Sequence, residues 1–230
     1  MQEKRTQIKI CGLTSEEEVR WVLEENVDYF GIVLFFPKSK RNISIEKAKQ
    51  LIAVCREIHS RSDHDVVKSE VQKQRPRVVA VTVSPTPEQV QEIEQAGFDR
   101  IQIHGELSKE AYAAVTIPII RAIQIKDGIF NMEPPFTEQG MDDKITAYLF
   151  DAPSPGSGQT FDWDMLARLP KTDKMLFLAG GLNSDNVREA IAKVKPDVVD
   201  VSSGVEIGVM IVGKDRNKIK QFVRKVDTNE

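Results

Sequence analysis

The chain has only two cysteines in 230 residues, Cys11 and Cys55, too few for a disulfide framework and without the partner spacing of a zinc site. Histidine is nearly as scarce, at three residues, which argues against chemistry built on a cluster of imidazole metal ligands. No run approaches the ~20 apolar residues of a membrane span. The opening Met1-Gln-Glu-Lys-Arg-Thr-Gln is polar and lacks the apolar stretch of a signal peptide. Neither charge sign prevails: 32 basic residues face 35 acidic ones, a formal charge of −3. Such a balance gives no general attraction to nucleic acid or to an anionic membrane, so any anion site must be local. A soluble protein of a reducing cytoplasm is expected, with neither nucleic acid nor membrane as partner. Repeats, low-complexity tracts and linker-like stretches are missing too. Residues 1–230 therefore read as one domain, with 40% hydrophobic content sufficient for a sizeable core.

What is present is a rhythm. Short β-branched runs at 7–11, 28–35, 77–83, 99–104, 117–124, 146–151, 174–179 and 197–201 alternate with helical spacing at 16–25, 45–58, 87–96, 109–115, 162–169, 184–194 and 214–226. Thr14 with Glu17 forms a capping box ahead of the first helix. Prolines and glycines in 128–142 interrupt any regular helix after the fifth strand. The charged stretch 60–77, with His59 and His64 beside or within it, reads as an irregular surface segment on the face opposite the strand ends. Eight strands with intervening helices predict the α/β class and a (β/α)8 TIM barrel.

The last two strands stop in tiny residues, Met175-Leu-Phe-Leu-Ala-Gly180-Gly181 and Val198-Val-Asp-Val-Ser202-Ser203-Gly204. Glycine and serine let an anion approach backbone N–H groups closely. Two such loops in succession, at strands 7 and 8, predict one phosphate held between them and hence a phosphorylated small-molecule ligand.

Working groups in a barrel sit at the carboxyl ends of the strands. Lys9 and Cys11 are two apart and share a face of the first strand, with Gly12 opening the loop. Cys11 is either a small core residue or, with a cation such as Lys9 beside it, a base; its place at a strand end favours the second. Cys55 falls with Leu51, Ile52 and Ile58 on an apolar helix face and reads as core. Asp151 ends the sixth strand ahead of Ala-Pro-Ser-Pro-Gly156-Ser-Gly158, and either caps its own loop or acts as an acid opposite Cys11. Pro37-Lys-Ser-Lys-Arg41 is either a solvated charge run or a clamp in which Arg41 grips a carboxylate. His104 is a lining residue or a structural one.

Taken in order, Lys9-Ile-Cys-Gly-Leu, Phe36-Pro-Lys-Ser-Lys-Arg41, Gln102-Ile-His-Gly, Phe150-Asp-Ala, Gly156-Ser-Gly-Gln-Thr-Phe-Asp-Trp, Leu178-Ala-Gly-Gly-Leu-Asn and Asp200-Val-Ser-Ser-Gly-Val-Glu206 resemble the phosphoribosylanthranilate isomerases of tryptophan biosynthesis over nearly the whole chain. The resemblance implies an Amadori rearrangement of N-(5-phosphoribosyl)anthranilate to 1-(2-carboxyphenylamino)-1-deoxyribulose 5-phosphate, with neither metal nor cofactor. It implies Asp151 as general acid, Cys11 as general base and Arg41 on the anthranilate carboxylate. Gly156, Gly158, Gly180, Gly181, Ser202, Ser203 and Gly204 would surround the phosphate, with Lys9 and His104 lining the substrate. Pro155 stands where the family commonly has glycine. Thr82 and Ser84 stand near its usual phenylalanine and asparagine, and 207–213 is longer and more apolar than the pattern. Indole-glycerol-phosphate synthase shares the glycine loops but not the pairing of Cys11 with Asp151; a metal-dependent epimerase needs more strand-end ligands than His104. A non-catalytic phosphosugar-binding barrel is the alternative from another class. A monomer and a homodimer are equally compatible with the sequence.

Overall fold

A computed structural model describes residues 5–65, 75–126, 129–130, 141, 143–152, 160–169, 172–208 and 211–227. Strands β1 (Gln7–Cys11), β2 (Tyr29–Val33), β3 (Arg77–Val83), β4 (Arg100–His104) and β5 (Ile119–Lys126) lie parallel in chain order. A two-residue strand β6 (Ile129–Phe130) turns back antiparallel on the end of β5. The parallel series resumes with β7 (Ile145–Asp151), β8 (Met175–Leu178) and β9 (Val198–Val201), and β9 closes the ring against β1. Eight strands thus form the expected barrel.

Both faces of the barrel strands are covered, which is why they read as apolar runs. Ile8, Ile10, Phe30, Ile32, Ile101 and Ile103 point outward to the helices, whereas Val79, Val81, Ile120, Ala122, Leu149 and Phe177 fill the interior. Tyr29 meets Phe177 edge-on at 5.4 Å within that interior.

Around the barrel run α1 (Glu16–Glu24), α2 (Ile45–Asp65), α3 (Pro87–Ala96), α4 (Lys109–Ala114), α5 (Val187–Val194) and α6 (Arg216–Asp227). Cys55 is fully buried on the inner face of α2, with Leu51 and Ile52. None of the described helices is long and apolar enough to cross a membrane.

Three local expectations need correction. The capping box of α1 is one residue later than predicted: Ser15 is the cap and Glu18 its partner, with Glu18 Oε2 accepting from the Ser15 and Thr14 amides. Its other oxygen accepts from the Lys214 amide at 2.7 Å, so a tertiary contact selects Glu18 over Glu17. Helix α2 continues to Asp65, carrying the first part of the charged stretch and a partly buried His59. The segment 162–169 makes a 3-10 turn, Trp163–Arg168, in place of an α-helix. Leu169 is extended there, as expected for a residue whose successor is proline. At β3 the residues facing the mouth are Val81 and Val83, while Thr82 is buried outside the lining.

Candidate active site

The carboxyl ends of the strands enclose a cavity of about 780 Å³. Its wall includes Cys11 from β1, His104 from β4, Asp151 from β7, Gly180 and Gly181 after β8, Asp200 from β9 and Ser202 and Ser203 beyond it. Arg41 and the neighbouring lysines close one side from the loop after β2. The fold therefore brings together most of the residues singled out from sequence, because alternate positions on each parallel strand face inward.

Lys9 lies below this wall, wholly buried, with its ammonium 2.6 Å from Asp200 Oδ2. The two residues are register partners across the seam where β1 meets β9. Burial works against the charge on Lys9, but Asp200 and then the Cys11 sulfur outweigh it and hold the pKa above its usual value. The other oxygen of Asp200, Oδ1, is buried without a hydrogen-bond partner among the described residues. Asp200 is a site residue that the sequence reading passed over, since it sits inside an apolar run.

The Cys11 thiol is not poised as a thiolate in this state. Burial pushes its pKa up, and although Lys9 and Lys214 pull it down, Asp200 adds to the rise. Lys9 pulls in the direction expected of a neighbouring cation, but burial outweighs it and the ammonium is already matched by a carboxylate. Gly31, the register partner of Cys11 on β2, leaves the room the thiol occupies, since a methyl there would come within 2.9 Å of the sulfur.

Asp151 is raised to about 7, first by burial and then by the negative charge of Asp200; the Ala152 amide and Lys9 oppose the shift. Its Oδ1 accepts from the Ala152 N–H at 2.8 Å. The capping contact foreseen for this carboxylate exists, yet it leaves the other oxygen to the cavity. His104 is lowered to about 3 by burial and then by Lys9 and Arg121, so its ring is neutral. It shares a 2.8 Å hydrogen bond with Gln102.

The two small-residue loops meet behind the cavity. Gly180 and Gly181 have φ of 87° and 64°, the left-handed region that glycine adopts without strain. A methyl on Gly180 would stand 2.7 Å from the Ala152 nitrogen. Gly204 packs against the neighbouring loop: its added carbon would fall 2.1 Å from the Leu182 carbonyl oxygen. Among the described residues, no hydrogen bond reaches the amides of Gly180, Gly181, Ser203 or Gly204. Ser202 is committed elsewhere, its hydroxyl donating to the Cys11 carbonyl at 2.9 Å and receiving from Lys214 at 3.1 Å. Gly156, Gly158 and Pro155 lie outside the described residues.

Arg41 crosses Gly12, whose positive φ of 81° and missing side chain give its stem a path. Its Nε donates to Glu206 Oε1 at 2.5 Å. Glu206 also holds Lys40 at 2.9 Å and Lys214 at 3.3 Å. Burial would raise this carboxyl, but Arg41, Lys214 and Lys40 together hold it below its usual range. Glu206 and Lys214 had stood in the sequence only as the end of a motif and the start of a helix. Among the described residues, no group of three histidine, cysteine or acidic side chains is arranged to hold a metal.

A family model described as N-(5'phosphoribosyl)anthranilate (PRA) isomerase matches residues 53–225. The N-(5'-phosphoribosyl)anthranilate isomerase of Streptococcus mutans is 39% identical over 222 residues, covering 96% of this chain and 98% of that protein. Phosphoribosyl anthranilate isomerase from Thermotoga maritima, in its crystal structure, superimposes with a TM-score of 0.73 at 30% identity, covering 96% of this chain and 98% of the other. A phosphoribosyl anthranilate isomerase solved in complex with reduced 1-(o-carboxyphenylamino)-1-deoxyribulose 5-phosphate gives 0.67 at 29% identity, with the same coverage of 96% and 98%. The barrel, the mouth that gathers Cys11 and Asp151, and the full-length match agree: this chain belongs to the phosphoribosylanthranilate isomerase family.

Proposed function

We infer that the protein converts N-(5-phosphoribosyl)anthranilate to 1-(2-carboxyphenylamino)-1-deoxyribulose 5-phosphate, with Asp151 as general acid and Cys11 as general base. The observation that carries this assignment is a carboxyl raised to about 7 and a thiol lining one cavity from opposite parts of the strand ring. Asp151 delivers its proton to the furanose ring oxygen, and the ring opens to a protonated Schiff base. Cys11, as thiolate, removes the C2 proton while the electron pair moves toward the cationic nitrogen. The resulting enolamine tautomerises to the ketose. Each proton transfer contributes roughly 10²- to 10⁴-fold.

Substrate is held at both ends, which places its sugar between acid and base. The bare amides after β8 and β9 receive the phosphate, and Arg41 receives the anthranilate carboxylate. Gly204→Ala drives the Leu182 carbonyl away and separates the two loops; it is expected to weaken inorganic phosphate binding measured by calorimetry. Unchanged phosphate affinity would remove the loops from the phosphate site. On this reading residues 1–230 form one domain working in the cytoplasm on a phosphorylated small molecule, as a monomer or a homodimer, without nucleic acid or membrane as partner. The exposed Ile207, Ile211 and Val212 are compatible with either oligomeric state.

The direct test follows the fluorescence of phosphoribosylanthranilate, generated in situ, with the protein and with its Asp151→Asn variant. A decay that depends on the protein and is lost in the variant is expected; no decay with either would leave a binding barrel or an enzyme of another phosphosugar.

The proton inventory makes a further prediction. The reacting form has a proton on Asp151 and none on Cys11. Below about pH 7 both groups hold a proton, and above the thiol's raised pKa neither does. The pH profile of kcat/KM is therefore a bell, with its acid limb near the Asp151 value of about 7. Its alkaline limb lies above the ordinary thiol value of about 8.5. The two limbs belong to the coupled pair. An acid limb near pH 4 would identify Asp151 as an ordinary carboxylate and sink the assignment.

A further inference from the structure

We propose that Glu206 is the positioning residue that sets how Arg41 recognises the substrate carboxylate, and so determines specificity for a substrate carrying that group. The inference rests on the isomerase reading above. Arginine can grip a carboxylate side-on, through Nε and one terminal nitrogen, or end-on, through both terminal nitrogens. Glu206 takes the Nε at 2.5 Å, which removes the side-on mode. Among the described residues, the terminal nitrogens of Arg41 have no hydrogen-bond partner, while the side chain lines the cavity. Only the end-on edge is left for a ligand.

The surroundings show that Glu206 is itself fixed. It is 5% exposed, and it joins Arg41 and Lys40 from the loop after β2 to Lys214 ahead of α6. Its backbone carbonyl receives the Lys218 ammonium at 2.8 Å. The Arg41 stem lies across Gly12, next to Cys11 in the chain. A carboxylate held end-on by Arg41 is thereby brought to the Cys11 side of the cavity. One internal carboxylate among three cations also keeps the site from attracting anions indiscriminately, so the free guanidinium edge, rather than bulk positive charge, does the selecting.

The experiment compares N-(5-phosphoribosyl)anthranilate with the analogue built on aniline, which lacks the carboxylate, in the wild type, Glu206→Gln, Arg41→Ala and the double variant. Glutamine retains an oxygen acceptor for Nε but not the charge that fixes it. For the carboxylated substrate, Glu206→Gln is expected to raise KM by about tenfold or more, the scale of a lost hydrogen bond to a charged group. The loss falls on KM rather than kcat, and the wild-type preference over the analogue collapses toward that of Arg41→Ala. The double variant is no worse than Arg41→Ala alone, since both act through one guanidinium. Glu206→Asp restores part of the preference. A preference that survives in Glu206→Gln, or losses that add in the double variant, would overturn the proposal. A wild type that turns over neither substrate would instead overturn the isomerase reading itself.

Discussion

Asp151→Asn loses about 10²- to 10⁴-fold in turnover and at the same time becomes harder to unfold above pH 7. The two effects have one cause. In the folded protein the carboxyl is raised to about 7 by burial and by the charge of Asp200, whereas in the unfolded chain it titrates near about 3.9. Between those values the folded state holds a proton that the unfolded state has released. Stability therefore falls as pH rises through that window, and the deficit is complete above pH 7, where it is on the order of 4 kcal/mol. Asparagine carries no such charge and escapes the deficit. Urea unfolding at pH 4 and pH 8 should find wild type and variant alike at the lower pH, with the variant ahead at the higher. Equal stability at both values would mean that the carboxyl is not strained by its surroundings. Cys11→Ser should lose a comparable share of turnover, while Cys55→Ser, on the buried face of α2, should change activity little.

The largest expected loss of stability comes from the seam. Lys9→Met removes the ammonium that donates to Asp200 at 2.6 Å, and Asp200 is 6% exposed with a second oxygen that has no partner among the described residues. Breaking a buried ion pair from one side typically costs about 3–5 kcal/mol, because the remaining charge is left in a medium that solvates it poorly. Asp200→Asn strands the ammonium in the same way. The double variant Lys9→Met with Asp200→Asn should recover much of what either single change loses, a pattern that denaturant unfolding of all four proteins would reveal. Single losses below about 1 kcal/mol, or simple addition in the double, would show the pair to be dispensable. Asp200→Asn carries a second signature: with one negative charge gone from beside Asp151, the acid limb of the pH profile moves to lower pH.

Much of the barrel was legible because its strands carry the plainest signal a sequence offers, short apolar runs buried on both faces and stopped by small residues. The ends of β3, β4 and β9 fall within two residues of the predicted ones. Where the reading slipped, a distant contact made the choice. Thr14 with Glu17 and Ser15 with Glu18 are equivalent to local rules, and the Lys214 amide, 196 positions away, decides between them. Trp163–Arg168 has helical spacing, yet the proline after Leu169 leaves too little length for a full helix. In the site, Cys11 and Asp151 announced themselves by standing at strand ends. Asp200 did not, because a carboxylate within Val198–Val201 looks like an interruption of a core strand until Lys9 is seen opposite it. Glu206 was similarly opaque, since its partners come from two loops separated by most of the chain. The sequence pattern could locate groups on a face; it could not say which charges would be matched.

The seam between β1 and β9 also bears on how the enzyme comes into being. Lys9 and Asp200 are 191 positions apart, as are the Cys11 carbonyl and the Ser202 hydroxyl that donates to it. Such contacts are among the last a chain can make, since their loop-closure entropy is met only once the intervening elements are in place. A ribosome has to finish β9 before the thiol acquires its neighbours. Partly synthesised chains thus hold the thiol without its electrostatic setting, and the mouth is completed in the same event that makes the barrel a closed ring.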